Sequence, residues 1–168
     1  MSVVVAYTNK TEFSMSFDSG ASGGEMIFIS KTPKAIKHKG NGLIGIVGSW
    51  RVINLVSNLK EQNCTPQNIV DMLKNVTGEE TSVSDMEILC AWPNKPLVII
   101  QNDLSVLEIT SSVMAIGSGA PYALGYLNAF QEFDKGVLDG AVEAAIKYST
   151  SVSGPVKNIH CALRESLK

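Results

Sequence analysis

The sequence predicts an α+β fold, a four-layer αββα sandwich in which two packed antiparallel sheets lie between pairs of helices. Three observations predict it. Strand patterns occur in pairs and runs and helix patterns occur in pairs, whereas a parallel α/β fold would alternate them strictly. Residues 43–47 are almost entirely apolar, as in a strand that is buried on both faces. The helix patterns are apolar along one stripe, which suits an outer layer that covers one face of a sheet.

Short strands are predicted throughout the first 48 residues. Residues 2–8 are rich in valine, and residues 9–11 supply a turn into a strand over 13–18, where apolar and polar side chains alternate with a period of two. Further strands are predicted over 26–29, 35–37 and 43–47, and a flexible loop is predicted at Gly20, Gly23 and Gly24.

Two helices are predicted next. The first spans 50–60, and the second begins at an N-cap, Thr65, with Pro66 in the first helical position. The side chains expected to face inward are Val52, Leu55, Val56 and Leu59 in the first helix and Ile69, Val70, Leu73 and Val76 in the second. Residues 77–85 are polar and are predicted to form a loop.

The second half of the chain adds more strands and a second helix pair. Two strands flank a Pro-Asn-Lys-Pro turn at residues 93–96. The predicted elements are strands over 86–92, 97–101, 104–109 and 113–116, helices over 121–133 and 138–148, and a closing strand over 156–162. No repeat, low-complexity tract or linker divides the sequence, so residues 1–168 are predicted to form a single domain.

Composition argues against several classes of function. The net charge of −2 gives no basic footprint for nucleic acid or for an anionic membrane. The sequence shows no signal-peptide pattern and no apolar stretch near the roughly 20 residues that cross a bilayer. Cys64, Cys90 and Cys161 are odd in number and lack metal-ligand spacing, so we expect reduced thiols in a cytoplasmic protein with no metal or other cofactor.

Ser2 is the candidate nucleophile. If Met1 is removed, Ser2 carries both a hydroxyl and a free amine, and such an amine can act as the base for its own hydroxyl. Asp18 lies sixteen positions after Ser2, and Lys34 lies sixteen positions after Asp18. We expect these three residues to converge at one cleft, with the Lys34 ammonium within ion-pair reach of the Asp18 carboxylate.

The chain resembles a proteasome β-type subunit, and more closely a bacterial HslV-like peptidase, over nearly its full length. Such proteins are N-terminal nucleophile hydrolases whose mature chain begins with threonine on a first strand, the place that Ser2 has here. Asp18, Lys34 and Gly48 match the family's aspartate, its strand-leading lysine and the glycine before its first helix. The segment 115–123 is the most specific local match, because it resembles the family's strand-to-helix signature.

The resemblance implies hydrolysis of peptide bonds. The Ser2 hydroxyl would attack the scissile carbonyl while its own amine takes the proton. Lys34 would favour the ionised hydroxyl, Asp18 would orient Lys34, and the Gly48 amide would stabilise the oxyanion. The resemblance further implies that Ser118 and Ser153 form hydrogen bonds near the amine, Ser153 through the family's serine-glycine pair.

Two positions depart from the family pattern. Serine in place of threonine keeps the hydroxyl but loses the methyl group that restricts χ1, so a lower activity is expected. Thr150 stands where the family has an aspartate, and a hydroxyl supplies no negative charge. A retained Met1 would block the amine. The alternative hypothesis is therefore a catalytically inactive ring or scaffold protein with the same fold.

Two further alternatives remain open. Gly117–Gly119 enters a helix and suits a phosphate site, although it lacks the full dinucleotide fingerprint and a Walker lysine. A hydrolase of small amides would share the fold. The resemblance favours a peptide or unfolded-protein substrate, a ring-forming homo-oligomer and an ATPase unfoldase as partner. Apolar helix residues around Trp50 could supply the ring contact, and a place of Trp50 in the core is the equal alternative.

Overall fold

A computed structural model of the chain describes residues 2–23, 26–38, 42–58, 64–77 and 86–162. In these ranges the strands are β1 (Val4–Thr8), β2 (Glu12–Asp18), β3 (Gly20–Gly23), β4 (Met26–Ile29), β5 (Ala35–Lys37), β6 (Leu43–Val47), β7 (Glu87–Ala91), β8 (Leu97–Ile100), β9 (Val106–Ile109), β10 (Val113–Ile116) and β11 (Val156–Ala162). The helices are α1 (Trp50–Ser57), α2 (Pro66–Thr77), α3 (Ala120–Leu127) and α4 (Lys135–Tyr148).

Two antiparallel sheets form the centre of the molecule. One has the strand order β10-β1-β2-β11, and the other has the order β5-β6-β7-β8-β9. The strands β3 and β4 pair separately as a two-stranded sheet. Neighbouring strands in all three sheets run antiparallel, as the paired strand patterns predicted.

Three apolar layers hold the sheets and helices together, and they confirm the αββα sandwich. Between the sheets, Val4 and Ala6 of β1 pack in the same cluster as Leu43 of β6. Because side chains alternate across a strand, Val5 and Tyr7 point the other way and pack with α3 and α4. The helices α1 and α2 cover the outer face of the five-stranded sheet. Residues 43–47 are buried throughout, as predicted.

The glycine segment after β2 is a strand and not the predicted loop. Gly20 pairs with Ile29 and Ala21 pairs with Phe28, so β3 and β4 form a hairpin. Cross-strand pairing overrides the low strand propensity of glycine. Gly24 lies outside the described residues.

The first helix pair follows the predicted pattern with one correction, at Val76. The inward side chains Ile69, Val70 and Leu73 are buried, and the Thr65 hydroxyl accepts a hydrogen bond from the Asn68 N–H as a cap. Val76 was expected to face inward but is 41% exposed, because it falls at the end of the helix. Residues 59–60 of the predicted first helix and 78–85 of the predicted loop lie outside the described residues.

The second helix pair differs from the prediction at two ends. Helix α3 ends at Leu127 and not near residue 133, because the Ala129 and Phe130 amides turn back onto carbonyl oxygens three residues earlier. Helix α4 begins at Lys135 and not at residue 138, because the Asp134 carboxylate caps it by accepting the Val137 N–H at 2.8 Å. Over the described residues, no helix is both long and apolar enough to span a bilayer.

Gly45 of β6 is a point of close approach between the two sheets, and its replacement tests this packing. A Cβ there would lie 2.5 Å from Val4 Cγ1 and 3.2 Å from Met15 Sδ. We expect Gly45→Ala to lower the free energy of unfolding by about 1–3 kcal/mol through overpacking. Gly125→Ala is the control: no atom lies within 4 Å of a Cβ at this position of α3, so it should stabilise by roughly 0.5–1 kcal/mol. Urea denaturation measures both, and equal effects would contradict the close approach.

Candidate functional site

A cleft of about 680 Å³ lies where β6, β8 and β10 end and where β1 and β7 begin. Antiparallel pairing brings these strand ends to one edge of the sandwich. Ser2, Gly48 and Ser118 line this cleft, so the structure brings three of the predicted site residues together there. Asp18 and Lys34 were expected to converge with Ser2 at one cleft, but they are buried and do not line it. Asp18 reaches the chain beside Ser2 through the Val3 N–H instead.

The backbone of Ser2 is fixed by the segment that joins β10 to α3. The Ser2 nitrogen donates a hydrogen bond to Ser118 Oγ at 3.2 Å, and the Ser2 carbonyl oxygen accepts one from the Gly119 N–H at 3.2 Å. Gly117 has a φ of 92°, and a Cβ on it would clash with the Ser2 carbonyl oxygen. Only glycine fits both the backbone conformation and the contact. The glycine-rich signature therefore serves to bring a hydroxyl and an amide against Ser2.

Asp18 and Lys34 form a buried ion pair, as predicted. Lys34 Nζ donates to Asp18 Oδ2 at 2.7 Å, and their side chains are 1% and 0% exposed. The other carboxylate oxygen of Asp18 accepts the Val3 N–H at 2.8 Å. Asp18 thus connects Lys34 to the peptide unit that follows Ser2.

The electrostatics of Lys34 reflect two opposing effects. Burial lowers the pKa of Lys34 below its ordinary value, because the charged ammonium loses water. The Asp18 carboxylate opposes this shift in pKa by its negative charge and its hydrogen bond. The lysine backbone is held as well, since the Lys34 carbonyl oxygen accepts the Ile46 N–H at 2.7 Å.

Gly48 sits between β6 and α1, where the chain turns sharply. Its φ of 116° is a conformation that side chains rarely adopt, which explains glycine at this position. The helix that follows is anchored at Ser49, whose carbonyl oxygen accepts the Val52 and Ile53 amides. This turn places Gly48 on the wall of the cleft that contains Ser2.

The serines after α4 are arranged differently from the expectation. Ser151 Oγ, and not Ser153, lies 3.0 Å from Ser118 Oγ, and Ser149 Oγ lies 2.8 Å from Ser151 Oγ. Ser153 packs against Gly20 and accepts its N–H at 2.7 Å through the carbonyl oxygen. Serines alternate at 149, 151 and 153, so the sequence alone did not decide which one faces Ser118. Thr150 is exposed.

Glu87 is a residue of the cleft that the sequence analysis did not single out. It begins β7, and its Oε2 accepts the Gly117 N–H at 2.8 Å. The available signal was one acidic residue at the head of an otherwise apolar strand. Two N–H groups of the glycine segment are therefore already bonded: that of Gly117 to Glu87 and that of Gly119 to the Ser2 carbonyl oxygen. A carboxylate in this position disfavours the phosphate site considered for Gly117–Gly119.

The described residues hold no cluster of three or more His, Cys, Asp or Glu side chains that is suited to a metal ion. The three cysteines Cys64, Cys90 and Cys161 are buried. The described lining of the cleft offers hydroxyls, backbone amides, the side-chain amides of Gln101 and Asn102, and one carboxylate.

Several solved structures are similar to this chain. BPH of Thiobacillus denitrificans, in complex with epoxomicin, is 22% identical, with a TM-score of 0.77 over 97% of this chain and 100% of that chain. Eukaryotic HslV from Trypanosoma brucei is 14% identical, with a TM-score of 0.72 over 96% of this chain and 99% of that one. The Anbu (Gly-1) mutant from Hyphomicrobium sp. strain MC1 is 13% identical, with a TM-score of 0.75 over 96% of this chain and 82% of that one.

No family model and no curated protein matches the sequence. The structural similarities nevertheless show that the chain has the fold of the proteasome-type N-terminal nucleophile hydrolases, in a divergent form. The sequence resemblance to that fold is confirmed. At these identities the shared feature is the fold, and the roles of the cleft residues are matters of proposal.

The buried ion pair yields a stability prediction. We expect Lys34→Met to lower the free energy of unfolding by about 3–5 kcal/mol, because the Asp18 carboxylate is left buried without its cation. Adding Asp18→Asn should recover part of the loss, since the amide oxygen can still accept the Val3 N–H. Chemical denaturation of the single and double variants measures this coupling. Additive losses in the double variant would contradict an ion pair that acts as a unit.

Proposed function

We propose that this chain is a divergent peptidase that hydrolyses peptide bonds through Ser2 after Met1 has been removed. One observation carries the proposal. The Ser2 nitrogen is held by Ser118 in a cleft, while the next amide, that of Val3, is bound by a buried Asp18–Lys34 pair. A buried ion pair is costly to desolvate, so its placement one peptide unit from the candidate nucleophile supports a functional role.

The proposed reaction has two steps. Ser2 Oγ forms a bond to the scissile carbonyl carbon, and the α-amine takes the hydroxyl proton and passes it to the leaving nitrogen as the C–N bond breaks. Water then adds to the ester, and Ser2 Oγ leaves with a proton. A free α-amine has a pKa of roughly 7.7–8.0, which suits a base near neutrality.

The other residues assist Ser2 in this proposal. Lys34 supplies positive charge that favours the ionised hydroxyl, and Asp18 orients Lys34. The Gly48 amide stabilises the oxyanion. Ser118 orients the amine and is supported by Ser151, which takes the place that the sequence assigned to Ser153.

A catalytically inactive scaffold is the second candidate. The hydrogen bonds around the Ser2 nitrogen favour it. Among the described residues they run from Ser118 to Ser151 and on to Ser149, which are hydroxyls and not a carboxylate. Thr150, at the position of the family's aspartate, is exposed. A scaffold would keep the fold and the ion pair for stability alone.

Peptidase activity separates the two candidates. Protein lacking Met1, verified by intact mass, should hydrolyse short fluorogenic peptides slowly. Ser2→Ala should lower kcat by at least about 10³-fold, because the nucleophile is lost. Ser2→Thr should raise kcat, since the methyl group restricts the rotamer of the nucleophile.

Ser112→Ala is the matched control, because Ser112 is exposed, does not line the cleft and keeps the carbonyl oxygen that accepts the Thr8 N–H. It should retain the activity of the wild type. Equal residual rates in trimmed wild type and Ser2→Ala would reject the peptidase and leave the scaffold.

Assembly into a ring is part of the proposal. Trp50 is half-buried and packs against the core beneath α1, so it is a poor candidate for the ring contact. The strand β4 is the better one, because Ile27, Phe28 and Ile29 are 63%, 50% and 63% exposed. Runs of exposed apolar residues mark interaction surfaces. A peptide or unfolded-protein substrate, an ATPase unfoldase partner and a cytoplasmic location complete the proposal.

Sedimentation velocity tests the ring. We expect a discrete oligomer whose mass is a multiple of the 18.0 kDa protomer. Replacing Ile27 and Ile29 by serine should shift the protein toward the monomer, because the contact loses apolar area. Val106→Ser with Leu107→Ser on exposed β9 is the control and should leave assembly intact. A monodisperse monomer of the wild type at micromolar concentration would refute the ring.

A further inference from the structure

We propose that Glu87 makes the cleft selective for substrates with a cationic side chain, arginine or lysine, next to the scissile bond. The inference rests on the proposed peptidase function and deepens it by naming the substrate class. It is carried by the position of the Glu87 carboxylate and by the charge of the cleft.

Two contacts place the carboxylate beside the candidate reaction centre. In the β6–β7 pairing Glu87 stands opposite Val47, the residue before Gly48. Its Oε2 accepts the Gly117 N–H at 2.8 Å, and Gly117 lies directly against the Ser2 carbonyl oxygen. A substrate carbonyl placed between Ser2 and Gly48 therefore has Glu87 as a near neighbour.

No side chain in the described lining of the cleft supplies a positive charge to pair with Glu87. Of the described residues that line the cleft, Glu87 is the only one with a charged side chain, and the others include Met86, Gln101 and Asn102. One carboxylate oxygen is used by Gly117, and the other has no hydrogen bond within the described part of the chain. A half-buried carboxylate in a cleft of about 680 Å³ thus keeps accepting capacity for a ligand.

Charge complementarity determines the ligand class. A guanidinium or ammonium group on the substrate would form a charge-assisted hydrogen bond with the open oxygen. With a neutral substrate, the carboxylate would instead oppose the negative charge that develops on the scissile carbonyl oxygen. Both effects favour a cationic residue beside the scissile bond over a neutral residue of the same shape.

Internally quenched peptides test the inference. Pairs of peptides carry arginine or its neutral isostere citrulline, either on the acyl side or on the leaving side of the scissile bond. In protein lacking Met1, kcat/KM should be about tenfold or more higher for arginine at one of the two positions, the factor that corresponds to about 1.4 kcal/mol. Glu87→Gln should remove this preference, because glutamine keeps the bond to Gly117 and loses the charge.

Glu143→Gln is the matched control, since Glu143 is exposed on α4 and its loss changes the net charge equally. It should keep the arginine preference. Arginine and citrulline peptides with equal kcat/KM at both positions, or a preference that survives Glu87→Gln, would overturn the inference.

A binding measurement separates this inference from the peptidase proposal. In Ser2→Ala, fluorescence anisotropy of labelled arginine peptides should give a Kd about tenfold below that of citrulline peptides, and adding Glu87→Gln should equalise the two. If wild type shows no hydrolysis but this difference in Kd is found, the peptidase proposal fails and the cation site stands. If hydrolysis occurs and the Kd values are equal, the cation site fails alone.

Discussion

The buried ion pair between Lys34 and Asp18 is the interaction on which the site depends. It joins β2 to the strand that begins at Ala35, and through the Val3 amide it reaches β1. A charge pair at 1% and 0% exposure is a weak source of net stability, because desolvation consumes most of the attraction. The pair instead fixes positions, because neither side chain can move away without leaving the other as an unpaired buried charge. The start of β1 is therefore held in one position relative to both sheets.

The arrangement of the two sheets places the fixed start of β1 at the cleft. The edge at which β1 begins is also the edge at which β6 and β10 end, so the turns at Gly48 and Gly117 line the same cleft as Ser2. Gly48 and Gly117 both have positive φ, and each brings backbone rather than side chains to the cleft wall. The result is a site whose polar groups are mainly amides and hydroxyls fixed by strand ends. Rigid elements hold such groups more accurately than a free loop would.

The sequence predicted the structure correctly where a residue pattern is compatible with a single type of element or contact. Alternation and apolar runs predicted the sheets and their layers. The ion pair was predicted from the family resemblance at Asp18 and Lys34, and from the hairpin that returns Asp18 to the first strand. The sequence predictions were wrong where contacts between distant residues determine the local structure. Gly20 forms a strand because β4 pairs with it, and α3 stops early at a turn that no cap residue announces. Ser151 and Glu87 were missed because their partners are distant in sequence, at Ser118 and Gly117.

The row of serine hydroxyls beside Ser2 has a consequence of its own. In the contacts between Ser118 and Ser151, and between Ser151 and Ser149, either oxygen can be the donor. A carboxylate in the same place only accepts, so it would fix the direction of every hydrogen bond around the nitrogen. Three hydroxyls instead can reverse their direction together by bond rotation, with no heavy atom displaced. The hydroxyls that lead to the Ser2 nitrogen can therefore turn either a proton or a lone pair toward their neighbours while their oxygen atoms stay in place.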